Sequence, residues 1–297
     1  MAFTKAVKKK SKLRLALTGP SGSGKTWGAL QIAKGLGGKI ACIDTENGSA
    51  SLYEHILDFD VMNLPAPYTP EAYISAIKEA EKAGYDVLIV DSTSHEWSGP
   101  GGVLELVDAV ARSKYGGNSW SAWSDLTPRH RAFIDTMLQC NMHVIATGRS
   151  KTETAQQEGN NGKKKVVKLG MKTEQRDGFE YEMSVVLDIV HDGHFAVASK
   201  DRTGLFVGDP QPITEQTGLM LSNWLNAGAE PPAPAVLKIT MDQRKQLVSE
   251  MGQVVTPPEL MSQFSIGSTA DITAEQFPEV LIWIQEMKEA AALKGAA

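Results

Sequence analysis

The chain has 297 residues, 42% hydrophobic and 22% charged, with a net charge of −5, the balance of a soluble globular protein rather than of a disordered or fibrous one. No apolar run approaches the roughly 18 residues of a membrane helix, and the N-terminus lacks the apolar stretch of a secretory signal. The two cysteines, Cys42 and Cys140, each sit in an apolar run, which argues against a disulfide framework and predicts a cytoplasmic protein. The six histidines are scattered with no Cys/His cluster, which argues against a structural zinc site.

The charge is uneven. Residues 1–14 carry Lys5, Lys8, Lys9, Lys10, Lys12 and Arg14 and no acid, and residues 151–176 carry seven bases against three acids. Two basic segments on an acidic body are candidate contacts for a polyanion, or simply a solvated tail and a solvated loop. Residues 13–18 (LRLALT) read as a buried strand. GPSGSGKT follows, made of Gly19, Pro20, Ser21, Gly22, Ser23, Gly24, Lys25 and Thr26, and a helical run covers 26–36. Strand, glycine loop and helix in that order are the context of a phosphate-binding P-loop. The glycines let backbone N–H groups converge on an anion, and the helix start adds partial positive charge. Lys25 is placed to reach the β- and γ-phosphates of ATP, and the Thr26 hydroxyl to hold Mg²⁺.

A second strand is predicted over 39–46 (KIACIDTE) and a helix from the Thr69-Pro70-Glu71 start to about residue 82. The run 87–91 (VLIVD) is a third, fully apolar strand. Residues 103–113 read as a helix, and Thr127-Pro128 starts another. The fourth strand is 143–148 (HVIATG). Continuous apolar strands separated by helices predict a parallel sheet covered on both faces. Residues 151–176 lack apolar periodicity and read as a loop. Two β-rich runs, 181–189 and 195–200, flank the HDGH turn at 191–194, and a helix over 217–226 closes the domain. The expected organisation is a basic segment at 1–12, an α/β core at 13–226, a proline-rich linker at 227–236 and a small helical module at 237–297. In that module Thr240, Thr256 and Thr273 are N-cap candidates.

Asp91 ends an apolar strand, the position of an acid that holds Mg²⁺ beside a P-loop. No glutamate adjoins it, so the water-activating base must come from elsewhere. Glu46 is the candidate, with Asp44 as its competitor. Trp97, Trp120 and Trp123 are candidates for base stacking or for core packing. His95 and His130 have no evident metal or nucleophile partner.

GPSGSGKT, IDTEN and IVDS together resemble the RecA-like recombinases. The resemblance places Glu46 on the catalytic glutamate and Tyr53 on the tyrosine that stacks on adenine. Thr147 and Arg149 fall near the position of the family's glutamine sensor, which is missing, and Arg149 joins the nucleotide contacts. Lys200 and Arg202 fall on two basic residues that reach a neighbouring protomer's γ-phosphate. Residues 176–189 and 199–206 are similar to compact phage AAA-type nucleotide-binding proteins, including the Sak group-four single-strand annealing ATPases. This implies a RecA-type core with ATP and Mg²⁺ between protomers of a ring or filament. It implies ATP-dependent binding of single-stranded DNA in phage recombination or replication, gripped by Lys163, Lys164, Lys165, Lys168, Lys172 and Arg176. The helical module is a candidate contact for a single-strand-binding protein or recombination partner. A non-hydrolysing mediator and a P-loop kinase with 151–176 as its lid are the alternatives.

Overall fold

The computed structural model describes residues 5–158, 164–229, 238–252 and 254–295, with backbone alone at 152–171 and 292–295. The chain divides into two compact units, Met1–Glu230 and Pro231–Ala297. In the first, the predicted strands become β1 (Arg14–Gly19), β2 (Ile40–Asp44), β4 (Val87–Asp91), β5 (His143–Glu158), β7 (Val185–Ile189) and β8 (Phe195–Asp201). Two short strands that carry no clear pattern are added, β3 (Asp60–Asn63) and β9 (Gln211–Pro212).

The sheet order is β3-β2-β4-β5-β1-β7-β8-β9. The first six strands are parallel, β8 pairs antiparallel with β7, and β9 pairs antiparallel with β8. This mostly parallel α/β sheet is the P-loop NTPase fold that the strand–helix alternation predicts. Successive residues of each strand point to opposite faces. Leu88 and Val90 therefore pack with Tyr73, Ile77, Phe133 and Met137 of α2 (Pro70–Lys82) and α5 (Ser119–Gln139). Val87 and Ile89 pack with Leu30, Ile32, Leu221 and Leu225 of α1 (Lys25–Leu36) and α7 (Glu215–Asn226). The last two helices approach closely because both carry glycine where they meet. A Cβ on Gly35 would collide with the Glu215 carbonyl, and one on Gly218 with that of Ile32.

Three expectations are corrected. The loop at 151–176 is not irregular. β5 runs on to Glu158, and β6 (Lys164–Thr173) pairs back on it antiparallel. The sequence hides this because residues 151–173 show no regular alternation of apolar and polar residues. The helix expected to start at Thr127-Pro128 begins eight residues earlier. Asn118 caps it by accepting from Ser121 N at 3.2 Å, and Pro128 lies inside. Its missing N–H costs the Ser124 carbonyl one helical partner, which the packed helix tolerates. Between β4 and α5 lie α3 (Ser94–Ser98) and α4 (Val103–Lys114), and α6 (Phe179–Glu182) precedes β7.

The third correction concerns the basic N-terminus. Arg14 does not belong to a solvated tail. Its buried guanidinium donates to the carbonyls of Leu13, Leu138, Cys140 and Met142 at 2.6–2.9 Å. It closes the C-terminal turn of α5 onto the entry of β5, and burial holds its pKa below the ordinary value. Lys8 donates to the Trp224 carbonyl at 2.6 Å and lies 3.9 Å over that indole, capping α7. Residues 3 and 4 lie outside the described residues.

The second unit holds α8 (Met241–Met251), α9 (Pro257–Gln263) and α10 (Phe277–Gly295), around Leu247, Leu260, Ile272, Val280 and Ile284. Thr240 and Gln243 form a capping box, as do Thr256 and Glu259. Thr273 instead exchanges bonds with Gln276 in a turn before α10, which leaves Pro278 in the first helical turn, where no N–H is needed.

Arg14→Ala should remove partners from several buried carbonyls at once, each worth about 1–3 kcal/mol when orphaned. A loss of roughly 3 kcal/mol or more in denaturant unfolding is expected, and a loss below about 1 kcal/mol would contradict the assignment.

Candidate nucleotide site

Parallel strands place their C-terminal ends along one edge, where ligands bind in such sheets. The register aligns Asp44 with Asp91 and Gly19 with Arg149. The phosphate loop leaves β1 at this edge. Gly22 and Gly24 have φ of 74° and 93°, conformations that side chains resist. Gly24 caps α1, so the first N–H groups of that helix face the cavity. The pocket is lined by Ser21, Gly22, Gly24, Lys25, Thr26, Trp27, Glu46, Tyr53, Asp91 and Arg149.

Asp91 is buried, and both its oxygens are held. Thr26 Oγ1 donates to Oδ2 at 2.6 Å, and Thr147 Oγ1 donates to Oδ1 at 2.6 Å. Burial pushes this carboxyl pKa up, and the two threonine bonds oppose the rise. Lys25 donates to the Pro20 carbonyl at 2.8 Å. Burial lowers its pKa, while Asp91 and Glu46 act to raise it.

The structure separates Asp44 from Glu46. Asp44 is buried and accepts from Glu46 N at 2.6 Å and Ala50 N at 2.8 Å, so it builds the turn after β2. Glu46 extends from that turn into the pocket. Its Oε1 accepts from Arg149 Nε and a terminal guanidinium nitrogen at 3.1 and 2.9 Å. Its Oε2 accepts nothing among the described residues. Tyr53 closes a 3₁₀ turn, Ser49–Tyr53, and stands edge-on to Trp27 at 6.1 Å. Nothing in the sequence marks Trp27, which reads as ordinary helix surface.

Lys200 and Arg202 are not brought to this pocket. Lys200 pairs with Val186, and Val186 with Ala16, which places it towards the opposite end of the sheet from Gly19. Lys200 donates to the carbonyls of Glu180 and Tyr181, and Arg202 to that of Tyr181 at 3.3 Å, capping α6. Among the polyanion candidates, Lys163 lies outside the described residues. Lys164, Lys165 and Lys168 lie along β6. Lys172 pairs with Asp177 at 2.7 Å, and Arg176 lies 5.4 Å over Trp123.

The residues fit Mg²⁺. Thr26 and Asp91 supply adjacent hard oxygens, and Ser23 Oγ is a buried hydroxyl without a hydrogen-bond partner inside the loop. Among the described residues, no group of three His, Cys, Asp or Glu could hold a metal unaided. A site of this kind needs none, since phosphates complete the shell.

Residues 11–213 match the family model described as an AAA domain. The chain belongs to the AAA-domain family. This AAA domain spans both β1 and β8 and contains every residue of the nucleotide pocket. It is a P-loop ATPase domain of AAA type. Among solved structures, one likeness is to a prototypical ATPase from the type III secretion system of pathogenic bacteria. Identity is 14% and the TM-score 0.35, covering 92% of this chain and 79% of that one. No curated protein matches. Among the described residues, no helix is long and apolar enough to cross a membrane.

One interaction of the AAA domain has no counterpart in the sequence pattern. The HDGH turn sits over the phosphate loop because β7 lies beside β1. His194 Nδ1 is 2.9 Å from the Ser23 carbonyl, and a Cβ on Gly22 would lie 3.6 Å from His191 Nε2. Only the strand order brings them together. His194→Ala should loosen the Ser23 peptide and weaken nucleotide binding by about tenfold, the equivalent of one hydrogen bond. Titration with a fluorescent ATP analogue measures it, and an unchanged affinity would leave the turn a bystander.

Proposed function

We propose that the protein hydrolyses ATP at the interfaces of a homo-oligomer and couples this to binding single-stranded DNA, for strand annealing or exchange in phage recombination or replication. The observation that carries the chemistry is Glu46, presented by the Asp44 turn into the pocket that Lys25, Thr26 and Asp91 line. Thr26 and Asp91 would hold Mg²⁺, which when bound neutralises charge on the phosphates. Lys25 and the loop N–H groups bind and orient the phosphoryl group. With Oε1 taken by Arg149, Glu46 Oε2 orients the attacking water and takes its proton. Tyr53 and Trp27 offer aromatic surface for the base. Lys200 and Arg202 face away from their own loop, so on this reading they serve the next protomer's γ-phosphate.

Lys25→Ala should abolish nucleotide binding. Glu46→Gln should retain binding and lower turnover by about 10² or more, as removal of a general base does. Wild-type turnover in Glu46→Gln would remove Glu46 from the mechanism. A protein that binds ATP and never turns it over would favour the mediator reading.

The β5–β6 hairpin supports the DNA part. It projects from the strand that carries Thr147 and Arg149, and β6 bears Lys164, Lys165, Lys168 and Lys172. Every lysine–phosphate pairing that is removed should reduce the salt dependence of single-strand affinity by about 0.7 in slope. Replacing Lys164, Lys165 and Lys168 by alanine should flatten that slope and leave DNA-free ATP binding intact. An unchanged slope would move the phosphate-binding surface elsewhere.

A further inference from the structure

A groove of about 900 Å³ opens beside the base of the hairpin, lined by Trp97, Trp120, Trp123, Ser124, Pro128 and Arg176. It falls within the roughly 300–1,000 Å³ range of small-molecule sites. Trp97 and Trp123 are stacked, with centroids 5.7 Å apart and planes 26° apart. Trp120, one turn from Trp123 on α5, is 87% exposed. Solvation of a whole indole is unusual for a residue that normally buries its rings. The Arg176 guanidinium lies over the Trp123 ring, and Asp177 beside it is matched by Lys172. The Ser124 carbonyl at the groove is the one to which Pro128 offers no N–H.

We propose that this groove binds the unpaired bases of a single strand by stacking on Trp120 and its indole neighbours, while the hairpin holds the strand's phosphates. The inference rests on the single-strand reading above and adds to it a second interaction of different chemistry. The occupant is argued from what adjoins the groove. Its cation stands at the exit of a lysine-bearing strand, Lys164, Lys165, Lys168 and Lys172 leading to Arg176. Flat faces beside a basic strand suit a polyanion that carries flat rings. An aliphatic protein surface would use neither the stacked indoles nor the arginine.

The groove also adjoins the nucleotide site through buried polar groups. Gln175 accepts from Arg176 N at 2.7 Å, and its amide donates to the Thr93 carbonyl at 3.1 Å and to Glu96 at 3.3 Å. Glu96 lies 3.0 Å from His130 Nδ1, and His130 meets Trp97 edge-on at 5.5 Å. Thr93 and Ser94 come two and three residues after Asp91, and Ser94 Oγ accepts from Arg149 N at 2.8 Å. Arg176, which lines the groove, is thus the sequence neighbour of Gln175, which donates to Thr93, and Trp97 is the neighbour of Glu96, which accepts from the same Gln175 amide.

The test compares an oligothymidylate of about a dozen nucleotides with an abasic deoxyribose-phosphate strand of equal length, using the full chain. The wild type should prefer the strand with bases by about tenfold or more, with quenching of tryptophan fluorescence. Trp120→Ala, at an exposed position that folding does not need, should lose most of that preference, and Trp120→Phe should recover part of it. Equal affinity of the wild type for both strands would overturn the groove and leave a phosphate-only interaction standing. Binding of neither strand would overturn both this inference and the single-strand reading. An undiminished base preference in Trp120→Ala, together with a lower sedimentation mass, would overturn it in favour of an interface between copies of the chain.

Discussion

The Asp91 carboxylate is the constraint around which the nucleotide edge is arranged. A buried charge costs several kcal/mol unless hydrogen bonds replace its water. Here two hydroxyls do so, and they come from different elements. Thr26 belongs to the first turn of α1, and Thr147 to β5, the strand lying between Asp91's own strand and the P-loop strand. The strand order and the helix start are therefore tied to one side chain. Removing either threonine would leave an oxygen of this carboxylate without its donor and favour the protonated acid, which cannot serve a cation.

The turn after β2 shows how two acids two residues apart divide the labour. Asp44 lies in the last position of a buried strand, and it accepts from backbone N–H groups ahead of it. Accepting them, it winds the chain into the turn that presents Glu46 and then Tyr53. It acts through Glu46 and does not reach the pocket. The same logic gives Arg149 a structural part besides the nucleotide contact proposed for it. Its backbone is tied to Ser94 behind Asp91, and its side chain to Glu46, so one residue joins the acid that would hold the ion to the acid that would orient the water.

How much of this is legible in the sequence follows from what each segment packs against. Fully apolar strands such as VLIVD announce a sheet covered on both faces, and GPSGSGKT announces its loop, because both patterns are local. The hairpin at 150–173 escapes notice because no alternation of apolar and polar residues marks either of its strands. The start of α5 is misread because Pro128 imitates a first-turn proline, whereas the true signal is Asn118. Arg14 looks like one more base in a basic tail, and only the fold shows four carbonyls converging on it. The approach of His194 to Ser23 cannot be read at all, since it depends on β7 lying next to β1.

The distribution of positive charge bears on the proposed assembly. Within one protomer the pocket holds Lys25 and Arg149, and Arg149 is engaged by Glu46. Lys200 and Arg202 lie towards the other end of the same sheet, where the antiparallel turn of β8 carries them. A rigid sheet cannot fold one end onto the other, so these cations can meet a γ-phosphate only if it belongs to another copy. The carbonyls of α6 that they now cap are weak competitors, because a neutral acceptor attracts an ammonium or guanidinium group far less than a phosphate does. On the proposed reading, release from α6 is thus the local change that forming an interface would require, and it gives each protomer a way to register that its neighbour holds ATP.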